Sequence, residues 1–186
     1  MSTFTRKKRE SLHDFNFFSV ECDTIHESTH DLTFTRNVVA HVGAVAVVPV
    51  MDNGDVVLIK QYRGTVDQEL IEAVAGRRDV DQEDLFTCAL RELGEEIGLT
   101  AKNIVSLGSV FTSPGFTDEK IHLFVATECS ELDRNEPDGI EELLSTSVRV
   151  PMAQALEWTY DGTISDAKSI ITIQRVAHWL DSVVTA

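Results

Sequence analysis

The chain has 186 residues, 42% apolar and 25% charged, the proportions of one globular domain and not of a disordered chain. Sixteen basic against 31 acidic side chains leave a net charge of −15 at pH 7. That balance excludes nucleic acid or an anionic membrane as a partner held by the bulk field, because such binding depends on cationic groups displacing counterions from phosphates. A phosphorylated ligand would need a cation between itself and this protein.

In chain order, residues 1–14 are polar and read as a frayed terminus. Phe17, Val20, Cys22 and Ile25, then Leu32, Phe34 and Val38, predict short strands around a polar turn at His30-Asp31. Gly43 to Val50 is a β-branched run and predicts a buried strand. Asp52-Asn53-Gly54-Asp55 is a hairpin signal, with Val56 to Gln61 returning. Leu70 to Ala75 predicts one short strand ending at Gly76. The period then changes: Phe86, Leu90, Leu93 and Ile97 mark one face of a helix over Glu83–Ile97, with Gly98 as its C-cap. Strands are expected at Val105–Phe111 and Ile121–Thr127, flanking the turn Ser113-Pro114-Gly115. Glu128 to Glu142 is an acidic connection, long enough to suggest a functional loop. Val148–Val150 is the last expected strand. Pro151 opens a helix to about Tyr160, and a C-terminal helix carries Ile170, Ile173, Val176 and Leu180. This order predicts an α/β (α+β) fold, a mixed sheet packed between helices.

Cys22, Cys88 and Cys129 form no C-x-x-C pair and read as free thiols in a reducing cytoplasm. The basic start Arg6-Lys7-Lys8-Arg9 is followed by no apolar segment of a secretory leader. The longest apolar run, Gly43 to Met51, falls far short of the roughly 20 residues that span a bilayer.

The helix over Glu83–Ile97 concentrates acid. At about 100° per residue, Glu92 and Glu96 project within about 40° of each other, and Glu95 lies about 60° to the other side of Glu92. The three carboxylates are expected on the face away from the apolar stripe. Like charges four apart cost a helix a few tenths of a kcal/mol, and an interior glycine such as Gly94 costs about 1 kcal/mol against alanine. A plain solvated acidic face is the simplest account. Two neighbours point to a site instead: Leu85 and Cys88 lie on the carboxylate side, and Arg91 is placed to pair with Glu95. Clustered carboxylates suit a hard dication such as Mg²⁺, which also prefers phosphate oxygens.

The segment resembles the Nudix box, G-x5-E-x7-R-E-U-x-E-E-x-G-U, where U is aliphatic. Glu83, Arg91-Glu92-Leu93, Glu95-Glu96, Ile97 and Gly98-Leu99 match it, while six residues rather than five separate Gly76 from Glu83. Gln61-Tyr62-Arg63, Glu72 to Gly76, Ser113 to Glu119 and Asp166-Ala167-Lys168-Ser169 are similar to the ADP-ribose pyrophosphatase branch, with Val74 where that branch usually has proline. The similarity covers about residues 36–180.

The resemblance implies an α/β/α sandwich at 41–186, preceded by a strand extension at 1–40 that forms a homodimer. It implies Mg²⁺-dependent hydrolysis of a nucleoside diphosphate linked to another group, foremost ADP-ribose to AMP and ribose 5-phosphate, with Mn²⁺ as a substitute ion. Another nucleotide sugar or a dinucleotide is the alternative substrate, and a nucleotide-sensing module without catalysis the alternative function. Glu92, Glu96 and the Ala75 carbonyl are the implied metal ligands. Glu95 ligates the metal or holds its water. Gly76, Glu83, Arg91 and Gly98 shape the box, Glu83 by orienting Arg91 or by binding an outer metal. Glu142, ahead of Glu141, is the implied loop base or late metal ligand. Arg63 and Arg77 are assigned to phosphate, Glu72 to ribose or adenine, and Pro114, Gly115 and Phe116 to the terminal sugar. A surface pair of Arg63 with Glu69 is the structural alternative.

Overall fold

A computed structural model describes residues 2–78, 80, 82–132 and 143–184. The chain divides into two compact units, Met1–Gly43 with Phe111–Lys120, and Ala44–Val110 with Ile121–Ala186. Among the described residues no helix is long and apolar enough to cross a membrane.

The first unit is a meander of β1 (Phe4–Asp14), β2 (Phe18–Glu27) and β3 (Leu32–His41), all antiparallel. The expectation of a frayed start is corrected here. β1 pairs with β2 from Phe4↔Glu27 to Asp14↔Ser19, with register shifts at Arg6/Lys8 and Ser11/His13. Nearly every β1 side chain is exposed, so the strand carries no inside/outside alternation to read. Ionic contacts tie it down instead: Arg9 donates to Asp23 at 2.7 Å and to Asp118 at 3.0 Å. The hydrogen bond from Arg9 holds the nearly buried Asp23 carboxyl below its usual range. The predicted turn at His30-Asp31 forms, with the amides of Thr29 and His30 each donating to Glu27 at 2.8 Å. The Ser113 to Glu119 segment is stitched to β3, since Val39 N donates to Phe116 O at 2.8 Å and His41 N to Asp118 at 2.9 Å.

In the second unit, β4 (Ala44–Pro49) runs inside a four-stranded sheet ordered β7-β4-β9-β8, parallel to β9 (Lys120–Glu131) and antiparallel to β7 (Val74–Arg77). β8 spans Leu99–Phe111. A three-stranded sheet holds β5 (Asp55–Arg63) between β10 (Thr146–Pro151) and β6 (Gln68–Glu72). Three helices follow the predicted order: α1 (Leu85–Ile97), α2 (Met152–Asp161) and α3 (Ala167–Val184).

β4 is buried at every position because both faces are covered. Val45 and Val47 pack with Cys88, Ala89 and Leu93 of α1. Val48 packs with Ile173 and Val176 of α3 and Ala155 of α2. The mixed sheet therefore lies between helices, as its element order predicts.

β8 starts at Leu99 rather than Val105, β9 runs on to Glu131 through the first residues of the expected acidic loop, and two further strand expectations change. The Asp52–Asp55 turn forms, with Gly54 at φ 83° and its amide donating to Met51 O at 2.8 Å. Yet β4 and β5 join different sheets and share only the bridge Val50↔Val56. Likewise the single strand expected over 70–75 is two, β6 pairing with β5 and β7 with β4, divided at Ala73. An apolar run reveals burial but not a change of partner.

Candidate active site

The box helix begins at Asp84, whose side chain accepts the amides of Phe86 and Thr87, and ends at Gly98 in the left-handed region. Its buried positions are Cys88, Ala89, Glu92, Leu93, Gly94 and Glu96, while Phe86 is 47% exposed. The expected separation of acid from apolar stripe is thus corrected. Glu92 and Glu96 share the inward face, at 5% and 6% exposure.

They are admitted there by the backbone of β7. Ala75 N donates to Glu96 Oε2 at 3.2 Å. A Cβ built on Gly76 would stand 1.8 Å from Glu92 Cδ and 1.9 Å from its Oε1. The glycine is required by this close approach, because any side chain would occupy the space of the carboxylate.

Arg91 organises the acids. It grips Glu83 with two bonds of 3.0 and 3.1 Å, meets Glu95 and Glu92 at 2.8 Å each, and donates to Arg77 O at 3.2 Å. The predicted pairs of Arg91 with Glu95 and with Glu83 are both present. Arg91 holds the Glu83 carboxyl below its usual range. Arg91 stands against three of the box glutamates, and Glu92 and Glu96 are nearly out of water. Buried carboxylates need compensating cations. Among the described residues no group of three or more His, Cys, Asp or Glu side chains is arranged as a metal cluster. Even so, the donor chemistry fits a hard dication, with two acid oxygen sets a turn apart beside the backbone of residues 75 and 76.

A second charged network lies between β5, β6 and α3. Arg63 makes a two-pronged contact with Glu72, at 2.8 and 2.7 Å. Lys168 also donates to Glu72, and to Asp166 at 2.9 Å. Glu72 is 1% exposed. Burial alone would raise its carboxyl, but the Arg63 hydrogen bond and the charge of Lys168 win and hold it at about 2. The alternative pair of Arg63 with Glu69 does not form; Lys60 takes Glu69 at 2.7 Å. Strand parity explains the choice. Ile59 faces Glu72 and Tyr62 faces Glu69 across the ladder, so odd-numbered Arg63 shares the Glu72 side. Glu72, expected on a ribose or adenine, has both oxygens engaged by Arg63.

Lys168 is the residue the sequence reading left without a role. The available signal was an acid inside an apolar strand, which must find a cation. The Arg77 carbonyl accepts from Arg91 and from Cys88 Sγ. Pro114, Gly115 and Phe116 belong to the first unit, all exposed on a turn closed by Phe116 N to Ser113 O at 3.1 Å. Glu141 and Glu142 lie outside the described residues. The three cysteines are free, and burial pushes the Cys88 thiol up to about 12.

The Glu72 carboxyl sits at about 2 when folded, below the ordinary unfolded value of about 4.3, so its stabilisation is full above the unfolded value and fades as pH falls toward the folded one. Urea unfolding followed from pH 5 down to about pH 2 should show stability declining with acid. Glu72→Gln should flatten that slope and lower stability at pH 7.

The NUDIX domain model matches residues 40–170. An ADP-ribose pyrophosphatase of Bacillus subtilis (strain 168) is 37% identical over 139 residues, covering 75% of this chain and 74% of that protein. A GDP-mannose pyrophosphatase of Cronobacter sakazakii is 34% identical over 140 residues, covering 72% of each. A crystal structure of an ADP compounds hydrolase aligns with a TM-score of 0.82 at 22% identity, over 98% of this chain and 96% of that one, and speaks for the fold. With the box glutamates gathered on Arg91 and on the backbone at Gly76, the chain belongs to the Nudix hydrolase family and is similar to its ADP-ribose pyrophosphatase branch.

Proposed function

We propose that this Nudix enzyme hydrolyses the diphosphate bridge of a nucleoside diphosphate sugar, foremost ADP-ribose to AMP and ribose 5-phosphate, with Mg²⁺ as cofactor and Mn²⁺ as substitute. One observation carries the reading: Glu92 and Glu96, nearly buried, meet the backbone at Ala75 and Gly76 where a glycine alone leaves room. Glu92, Glu96 and the Ala75 carbonyl would hold the ion, with Glu95 beside them, and the ion would supply charge neutralisation and a polarised water.

The chain's own residues do the rest. Arg91 keeps Glu83, Glu92 and Glu95 oriented and spaced. Arg63, with Nε and Nη2 held on Glu72, would offer its outer N–H groups to phosphate oxygens. A loop carboxylate, Glu142 ahead of Glu141, takes the proton of the attacking water. The Bacillus relative's name supports ADP-ribose, and the Cronobacter relative's name supports a second reading, another nucleotide sugar. Retention of all four box glutamates argues against a sensing module without catalysis.

The homodimer belongs to the same proposal. Phe4, Leu12, Phe15 and Leu32 of the first unit are exposed apolar side chains of the kind that mark contact surfaces. Light scattering should give about twice the chain mass of 20.7 kDa.

Phosphate release after phosphatase coupling, measured on ADP-ribose, GDP-mannose and a dinucleotide, should be highest on ADP-ribose and fall to background in EDTA. Glu96→Gln should abolish turnover while circular dichroism stays unchanged; turnover surviving either treatment would remove the metal assignment.

Gly76→Ala should leave the fold near parent stability, since the flexible end of Glu92 can swing aside. Displacing that carboxylate by about 1 Å or more should still lower kcat about 10²-fold.

A further inference from the structure

The strand that meets Glu92 and Glu96 is short. β7 spans four residues and is laddered to β4 alone. Immediately before it, the chain leaves one sheet for another: Glu72 is the last β6 residue paired with β5, and Val74 the first β7 residue paired with β4. Ala73, between them, belongs to neither ladder. A crossover of this kind, three residues from Gly76, needs an anchor if the backbone is to keep its place against two carboxylates.

The anchor comes from the far end of the sequence. Ala73 N donates to Ser169 Oγ at 2.7 Å, and both residues are 0% exposed. Ser169 Oγ donates in turn to Asp166 Oδ2 at 2.5 Å, the same oxygen that accepts Ser169 N at 2.9 Å and Lys168 Nζ at 2.9 Å. Asp166 thereby caps α3, its carbonyl accepting Ile170 N at 3.0 Å. Lys168 carries the contact sideways to Glu72, which fixes Arg63. The first turn of α3 therefore grips residue 72 by its side chain and residue 73 by its backbone.

We propose that Asp166, Lys168 and Ser169 are positioning residues that lock the crossover between β6 and β7, so that the Ala75–Gly76 backbone and the Arg63 fork are held in register with Glu92 and Glu96. The proposal rests on the hydrolase reading for its consequence and on these hydrogen bonds for its geometry. A hydroxyl is needed at residue 169 because it accepts from a buried amide and donates to the half-buried Asp166 carboxylate. An alanine there leaves the Ala73 amide buried and unpaired. Capping of α3 alone would not explain why Lys168 and Ser169 also reach Glu72 at the end of β6 and the Ala73 amide beyond it.

Ser169→Ala and Lys168→Met would be compared with the parent and with Ile173→Val, which trims the buried face of the same helix one turn later. Three measurements are made on the full chain: amide hydrogen exchange over residues 73–77, Mn²⁺ affinity by calorimetry, and kcat and KM on the best diphosphate substrate. The expected result for Ser169→Ala is faster exchange over 73–77, with Mn²⁺ affinity and kcat each about 10–100-fold lower. For Lys168→Met the same losses are expected, with KM raised through Arg63. Ile173→Val should lose stability yet keep the parent's exchange pattern, Mn²⁺ affinity and kcat. Parent-like exchange, Mn²⁺ affinity and kcat in Ser169→Ala would overturn the proposal. If that variant does not fold, the same parent-like result in Lys168→Met would overturn it. A parent that neither binds Mn²⁺ nor cleaves any substrate of the panel would sink the hydrolase reading instead, and the exchange data would still decide whether the anchor holds the crossover.

Discussion

The second unit is arranged around a concentration of negative charge that one guanidinium organises. Arg91 touches Glu83, Glu92 and Glu95, while Glu96 finds the amide of Ala75. Charges brought out of water on this scale are tolerated only when each has a defined donor. The glycine at 76 belongs to that arithmetic. It brings a carboxylate against main chain, where no other residue type would let it approach. Helix, strand and glycine are therefore one device: α1 supplies the acids, β7 supplies the surface, and the packing of Leu93 and Ala89 under β4 holds the two together.

How much of this was legible depended on range. The box helix and its caps could be read because their causes are local: Asp84 and Gly98 act on the turns beside them, and the four-residue spacing of Glu92 and Glu96 fixes a shared face. The chemistry of the acids was legible for the same reason. Their burial was not, because the apolar stripe through Phe86 and Leu90 suggested the opposite side, whereas small residues, Ala89 and Gly94, sit inward beside the acids. Small side chains leave no mark on a hydrophobic pattern but allow close packing.

The longer-range features were hidden for other reasons. β1 carries charge on both faces, so only its pairing with β2 shows it to be a strand. The choice of Glu72 over Glu69 for Arg63 follows from a register that no spacing within β5 discloses. The sheet change at Ala73 lies inside an uninterrupted run, Leu70 to Ala75, with no turn residue to announce it. Each is decided by a partner distant along the chain. In each case a polar or charged group had to find a complement that only the fold could bring near.

The pairing of β5 with β10 has a temporal consequence. Residues 55–60 lie against residues 146–151, and Ala73 waits for Ser169. Domains fold as the ribosome releases them, and contacts between distant segments form late. A nascent chain that already displays every box acid still lacks the strand beside β5 and the hydroxyl beneath β7. Competence thus waits for residues 146–151 and for Ser169, and a message truncated before them yields protein bearing the full signature without its scaffold.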